Sequence, residues 1–69
     1  MNAIQRLSLL LLVLVEFVAR SGAPVAVNPD AVEAVFERPG HHADIRLLSG
    51  ALVELANSYE DVVRKLRGA

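Results

Sequence analysis

A nearly uninterrupted apolar run over residues 7–15 is the strongest constraint on how this chain can fold. A helix that crosses a bilayer needs about 20 apolar residues, and Glu16 and Arg20 end the run too early for that. A secretory signal peptide fits its length better, because Arg6 precedes the run and residues 19–21 supply small side chains for cleavage. The run therefore predicts no membrane span, and the signal peptide remains one open interpretation.

The second half of the run favours a β-strand. Alternation would place Val13, Val15 and Phe17 on one face and Leu14, Glu16 and Val18 on the other. A turn follows at Ser21 and Gly22. A helix over residues 2–19 is a further possibility, because leucine is a good helix former.

Chain length limits the protein to one domain with little surplus stability. It has 69 residues, of which 54% are hydrophobic, and its cysteine count is zero. A chain this short buries only about 60% of its unfolded surface, so small domains often add disulfides, metals or oligomerisation. Disulfides are excluded, and we expect self-association. We divide the chain into an apolar N-terminal extension, residues 1–12, and a β-rich domain, residues 13–69, which ends in a helix.

The charge pattern argues against nucleic acid as a partner. Seven basic and eight acidic residues give a formal net charge of −1. Nucleic-acid modules usually carry a basic stripe interleaved with aromatic side chains. Here the aromatic residues are only Phe17, Phe36 and Tyr59.

Two further strands and a tight turn are predicted in residues 25–37. Val25 and Val27 alternate with smaller or polar neighbours, as in a half-buried strand. Asn28 and Pro29 have turn chemistry, and Asn28 could cap a single helical turn over residues 29–32. In residues 31–37, alternation places Val32, Ala34 and Phe36 on one side and Glu33, Val35 and Glu37 on the other.

The next segment predicts a loop and then a hairpin. Residues 38–43 contain Pro39 and Gly40 and are expected to form a loop. Residues 44–48 and 51–56 alternate again, and Ser49 and Gly50 supply the turn between them.

The C-terminal segment predicts an amphipathic helix. Tyr59, Val62, Val63 and Leu66 follow the helical spacing. Ser58 suits the N-cap, and Gly68 can end the helix. The predicted fold class is therefore α+β: a small antiparallel sheet or partial barrel of four to five short strands with one C-terminal amphipathic helix.

No set of side chains predicts catalysis, a cofactor or a metal. His41 and His42 are adjacent, so on extended backbone they point to opposite sides and cannot easily chelate one ion, even with Asp44 nearby. Glu33 and Glu37, four apart on a strand, are expected to solvate one face. We predict that the protein is not an enzyme.

The order of these elements resembles the FlbD family of small bacterial flagellar and swarming-motility proteins. The resemblance covers about residues 13–67, and its sharpest element is the apolar strand that ends in Asn28-Pro29-Asp30. Other matching segments are 14–17 with Gly22, 32–35, 45–47 with Gly50, and 58–63. Small chains of similar appearance also occur in phages. The leucine-rich extension and the apolar residues 51–53 depart from the family pattern.

The resemblance implies a cytoplasmic, non-enzymatic accessory protein that acts through protein contacts, with a place at the flagellar motor. It carries over no catalytic or ligand residue. We predict an interface with a second copy, and with another protein, that includes Leu10, Leu12, Leu14, Phe17 and Tyr59. The alternatives are a phage-type small inhibitor or ligand-sequestering oligomer, and an exported protein with a signal peptide. A membrane partner is not expected.

Overall fold

Short strands and one helix account for most of residues 13–69, the part of the chain that the computed structural model describes. The predicted extension, residues 1–12, lies outside it. The elements in chain order are β1 (Val15–Val18), β2 (Pro24–Val27), a 3₁₀ turn (Pro29–Ala31), β3 (Val32–Arg38), β4 (His42–Leu47), β5 (Leu52–Leu55) and the helix α1 (Tyr59–Arg67). This confirms the predicted α+β class with antiparallel strands and a C-terminal helix.

The strands form two antiparallel sheets that meet at a corner. β1 pairs with β2, and the second sheet has the order β3-β4-β5. Ala19, which follows β1, makes a bridge to Leu55 at the end of β5. Two backbone hydrogen bonds flank that bridge, from Arg20 to the Glu54 carbonyl at 2.9 Å and from Ala56 to the Val18 carbonyl at 2.7 Å. The β1–β2 pair is therefore attached to the end of the larger sheet.

A four-residue connection between β2 and β3 makes the two sheets fold toward each other. The Asn28 side chain accepts a hydrogen bond from the Asp30 backbone at 2.9 Å and caps the 3₁₀ turn, as the sequence predicted. The Leu48 N–H then donates to the Ala31 carbonyl at 2.8 Å, which ties the connection to the far end of β4. Because each residue extends at most about 3.6 Å, so short a link keeps the end of β2 close to the start of β3.

The core lies between the two sheets and the helix. Its buried side chains come from β1, β2, β4, β5 and α1, and they are Phe17, Val27, Ala43, Ile45, Leu55 and Val62. Burial of an aliphatic or aromatic side chain of this size contributes about 1.5 to 3 kcal/mol. The predicted strand faces are confirmed for β1 and β2, since Phe17 and Val27 are buried whereas Glu16 and Ala26 are exposed.

Helix α1 is capped and positioned by polar side chains. The Ser58 hydroxyl accepts a hydrogen bond from the Asp61 backbone at 3.1 Å, which confirms the predicted N-cap. The preceding Asn57 links the helix to β1: its amide donates to the Asp61 carboxylate at 2.8 Å and accepts from the Val18 backbone at 2.8 Å. Val62 is fully buried, and the other residues of the predicted stripe are half-buried.

Strand β3 departs from the predicted alternation. A bulge shifts the register between Val32 and Ala34, so that Val32 and Val35 both pack against the core. Phe36 consequently points away from the core and is 37% exposed.

The same bulge corrects the prediction that Glu33 and Glu37 share one face. Glu33 reaches Arg46, which points away from the core. Glu37 pairs with the buried Ala43 and therefore follows the opposite face.

The predicted loop at residues 38–43 is also shorter than expected. Arg38 and His42 are paired strand residues, and only residues 39–41 form the connection. The tight reversal is possible because Gly40 has a φ of 88°. Ala43, expected in the loop, is fully buried in β4.

Candidate interaction surface

The residues predicted as an interface differ in their exposure in the described part of the chain. Leu10 and Leu12 lie outside the described residues. Leu14 is 54% exposed, whereas Phe17 is 2% exposed and belongs to the core. Tyr59 is half-buried and packs against that core. Phe17 is therefore not available for a partner in the folded domain.

A different surface emerges on the side of the β3-β4-β5 sheet that faces away from the core. Cross-strand partners share a face of the sheet, and the neighbours of the buried residues in β4 must point outward. We call this side the outer face. The strand register places on it Ala34, Phe36, Arg38, His42, Asp44, Arg46, Leu52 and Glu54.

One part of the outer face is an ion-pair cluster around a buried carboxylate. Asp44 is only 3% exposed. Arg20 lies 2.7 Å from one of its carboxylate oxygens, and the Arg38 Nε lies 3.5 Å from the other. Arg20 also approaches the exposed Glu54 carboxylate at 3.8 Å.

Arg20 gives this cluster a structural role. Its guanidinium donates to the Leu55 carbonyl at 3.2 and 3.3 Å and to the Ala43 carbonyl at 3.4 Å. Because Arg20 follows β1, these bonds clamp the small sheet onto the larger one. The two arginine side chains thus compensate the charge of the Asp44 carboxylate, which explains how this group can be buried.

The rest of the outer face is apolar around one arginine. The Arg46 guanidinium lies over the Phe36 ring, 5.1 Å from its centroid, and its Nε is 4.0 Å from the Glu33 carboxylate. Beside it, Leu52 is 53% exposed. We call Ala34, Phe36, Arg46 and Leu52 the Phe36 patch. Aromatic residues and arginine are enriched at protein interfaces, so its composition suits contact with another protein.

The two histidines are not brought together as ligands. His41 lies at the exposed tip of the β3–β4 connection with a φ of 68°. His42 is on β4, and its Nδ1 lies 3.3 Å from the Ala56 carbonyl oxygen. Within residues 13–69, no three His, Cys, Asp or Glu side chains are grouped so that they could hold a metal ion.

A shallow depression of about 420 Å³ runs along one side of α1. The described residues that line it are Tyr59, Glu60, Val63, Arg64 and Arg67. Glu60, Arg64 and Arg67 are exposed, and Arg64 is paired with Asp61. The depression offers an open helix surface rather than an enclosed site.

Comparisons with protein-family models, with curated proteins and with solved structures found no match to this chain. Among the helical segments of residues 13–69, none has the length and hydropathy that a membrane crossing requires.

Sequence reasoning missed the Phe36 patch because it assumed simple alternation along β3. Without the bulge, Phe36 would share a face with the core-packed Val32. The cross-strand partners of Phe36 depend on the register, which periodicity alone does not give. The alternation of Arg46 with Leu47 was a usable signal for the outward direction of Arg46.

Proposed function

We propose that this protein is a small non-enzymatic interaction module, similar in kind to the FlbD proteins, which self-associates and acts as an accessory or modulator of a larger protein assembly. The observation that carries this proposal is the Phe36 patch, an apolar surface with a central arginine on an otherwise well-ordered domain. A cytoplasmic location and a second protein partner follow from the resemblance and belong to the same proposal.

The exposed apolar side chains support a role in binding. Phe36 and Leu52 project from the sheet, and Leu48 is 67% exposed in the neighbouring turn. Leu14, near the end of the apolar run, adds a further exposed apolar side chain. Single exposed hydrophobic residues are ordinary, but neighbouring ones often mark contact surfaces.

The sheet edges are less suited to a partner than the outer face. In residues 13–69, β1 and β2 are the edges of one sheet and β3 and β5 those of the other, and the Ala19–Leu55 bridge joins the ends of β1 and β5, so that β2 and β3 are the edges away from this junction. β3 carries a bulge and three charged residues, Glu33, Glu37 and Arg38, all of which discourage pairing with another strand. β2 is four residues long and begins with Pro24, which lacks a backbone N–H.

The state of Asp44 also supports binding over catalysis. A catalytic carboxylate needs access to a substrate proton or a reacting atom. Asp44 is instead covered by Arg20 and held at 2.7 Å.

Light scattering on the full chain over a concentration series tests the self-association. We expect a dimer or larger species at micromolar concentration. A monomer at every concentration up to about 200 μM would refute self-association, because that limit lies well above typical interaction affinities.

A variant with added charge tests whether the apolar run or the folded domain forms the interface. Replacement of both Leu10 and Leu12 by Glu should lower the oligomer mass if the run contributes to the interface, as the sequence predicted. An unchanged mass would remove the run from the interface and leave the described surface to explain self-association. Intact mass after expression in an export-competent bacterium distinguishes the exported alternative, since processing would remove the run.

A further inference from the structure

Three rows of side chains cross the outer face, of which the Arg38–His42 row covers β3 and β4 and the other two include all three strands. One of these two rows crosses the sheet as Phe36, Asp44 and Glu54, and the next crosses it as Ala34, Arg46 and Leu52. The two rows lie about 7 Å apart along the strands, and neighbouring strands are about 4.8 Å apart. An aromatic residue therefore lies next to a small residue on β3, and an acid lies next to a leucine on β5.

This arrangement distinguishes between the two simple ways in which two copies could stack face to face. With a two-fold axis parallel to the strands and above β4, Arg46 would face its own copy and Phe36 would face Glu54. Like charges placed opposite each other weaken an interface. That orientation is disfavoured.

A two-fold axis across the strands, midway between these two rows, gives complementary contacts. Phe36 of one copy then faces Ala34 of the other, and Leu52 faces the aliphatic stem of Glu54. Arg46 comes to face Asp44 of the second copy, and Glu54 of that copy lies one strand to the side, an offset of about 4.8 Å within the plane of the sheet that two long side chains can bridge. Each contact occurs twice, as the symmetry of such an interface requires.

The exposure of the charged groups fits the second orientation. Asp44 is already held by Arg20, whereas the side chains of Glu54 and Arg46 are 59% and 49% exposed. Arg46 is also held above the apolar patch by the Phe36 ring. Less side-chain freedom is therefore lost when it pairs across an interface.

We propose that a second copy of the chain docks on the Phe36 patch, face to face, about a two-fold axis perpendicular to the strands, with Arg46 of each copy paired to Glu54 of the other. This inference rests on the proposed self-association and specifies its surface and orientation. It differs from the sequence-predicted interface, which contains none of these residues.

Charge reversal tests the ion pair. Arg46→Glu and Glu54→Arg, each alone, should raise the dimer dissociation constant at least about tenfold, because each change places like charges together. The variant with both reversals should bind about tenfold more tightly than either single variant, since the pair is restored in opposite sense. Glu60→Arg on the exposed side of α1 is the matched control and should leave the constant unchanged.

Crosslinking tests the orientation independently of any charge change. Since the chain has no cysteine, single cysteines can be introduced without background. A mixture of Ala34→Cys and Phe36→Cys proteins should give a mixed dimer with a short bis-maleimide. A mixture of Ala34→Cys and Leu52→Cys should not, because those positions meet only in the other orientation.

The outcomes separate this inference from the proposed function. A wild-type monomer refutes self-association itself. An oligomer that is unaffected by both charge reversals, and that gives no crosslink between positions 34 and 36, overturns the proposed surface and leaves self-association through another surface. Circular dichroism of each charge variant shows whether a lower oligomer mass is caused by unfolding of the variant.

Discussion

Replacement of Asp44 by Ala should remove a large share of the domain's stability. Its carboxylate is 4% exposed and lies 2.7 Å from the Arg20 guanidinium, which is 35% exposed. Loss of one partner from a fully buried ion pair costs roughly 3 to 5 kcal/mol. Because Arg20 can regain water on its exposed side, we expect about 2 to 3 kcal/mol, somewhat below that range.

This loss is large relative to the total. A domain of this size has a free energy of unfolding of roughly 3 to 9 kcal/mol. The corresponding drop in melting temperature is about 10 to 20 °C. Urea unfolding followed by circular dichroism at 222 nm measures the change directly, and the slope against denaturant concentration should stay constant.

Glu54→Gln supplies the matched control, with all variants measured at a protein concentration low enough for the chain to be monomeric. Glu54 is the other acid near Arg20, at 3.8 Å, but it is exposed, so its removal should cost less than about 1 kcal/mol. A double-mutant cycle with Arg20→Ala then isolates the coupling to Asp44. A loss for Asp44→Ala no greater than that for Glu54→Gln would refute the view that this pair clamps the two sheets together. The effect should also survive 0.5 M salt, since buried pairs are weakly screened.

Three further changes test the local structure by denaturant unfolding. Ser58→Ala removes the helix cap and should cost about 1 kcal/mol, whereas the exposed turn residue Ser21→Ala should change stability by less than about 0.5 kcal/mol. Gly50→Ala should cost about 1 to 2 kcal/mol because its φ is 94°, and Gly68→Ala, where φ is −83°, should be nearly neutral. Val62→Ala opens a void at a fully buried position and should cost about 2 kcal/mol. An equal loss of stability for the Ser21 and Ser58 variants would contradict the capping argument. A Gly50 or a Val62 variant as stable as the wild type would contradict the argument for that position.

Local chemistry was enough to predict most elements of this fold. Asn28 and Pro29 stop a strand and begin a turn through their own side-chain and ring geometry. Ser58 caps a helix whose apolar stripe follows a period of 3.6 residues. These signals act over a few residues, so they do not depend on how the chain packs elsewhere.

The strand faces could be predicted only where pairing is regular. In β1, alternation correctly separates the buried Phe17 from the exposed Glu16. In β3, one extra residue in the bulge changes which side chains face the core. No glycine or proline marks that bulge, because the residues at it are Glu33 and Ala34.

The buried ion pair shows the same limit at longer range. Arg20 and Asp44 are 24 residues apart, Arg20 in the turn after β1 and Asp44 on β4 of the other sheet. Taken alone, Arg20 is consistent with a turn and Asp44 with the start of a strand. Their pairing exists only because the Ala19 bridge to Leu55 brings the two sheets together.

The sequence by itself determined the α+β class, the capped C-terminal helix and the turn at Asn28, because each depends on short-range propensity and periodicity. Only the tertiary structure decided that Phe17 belongs to the core and that Phe36 and Arg46 share an exposed face. The physical reason is that exposure depends on strand register and on which distant elements cover a side chain, and neither quantity is contained in the local pattern.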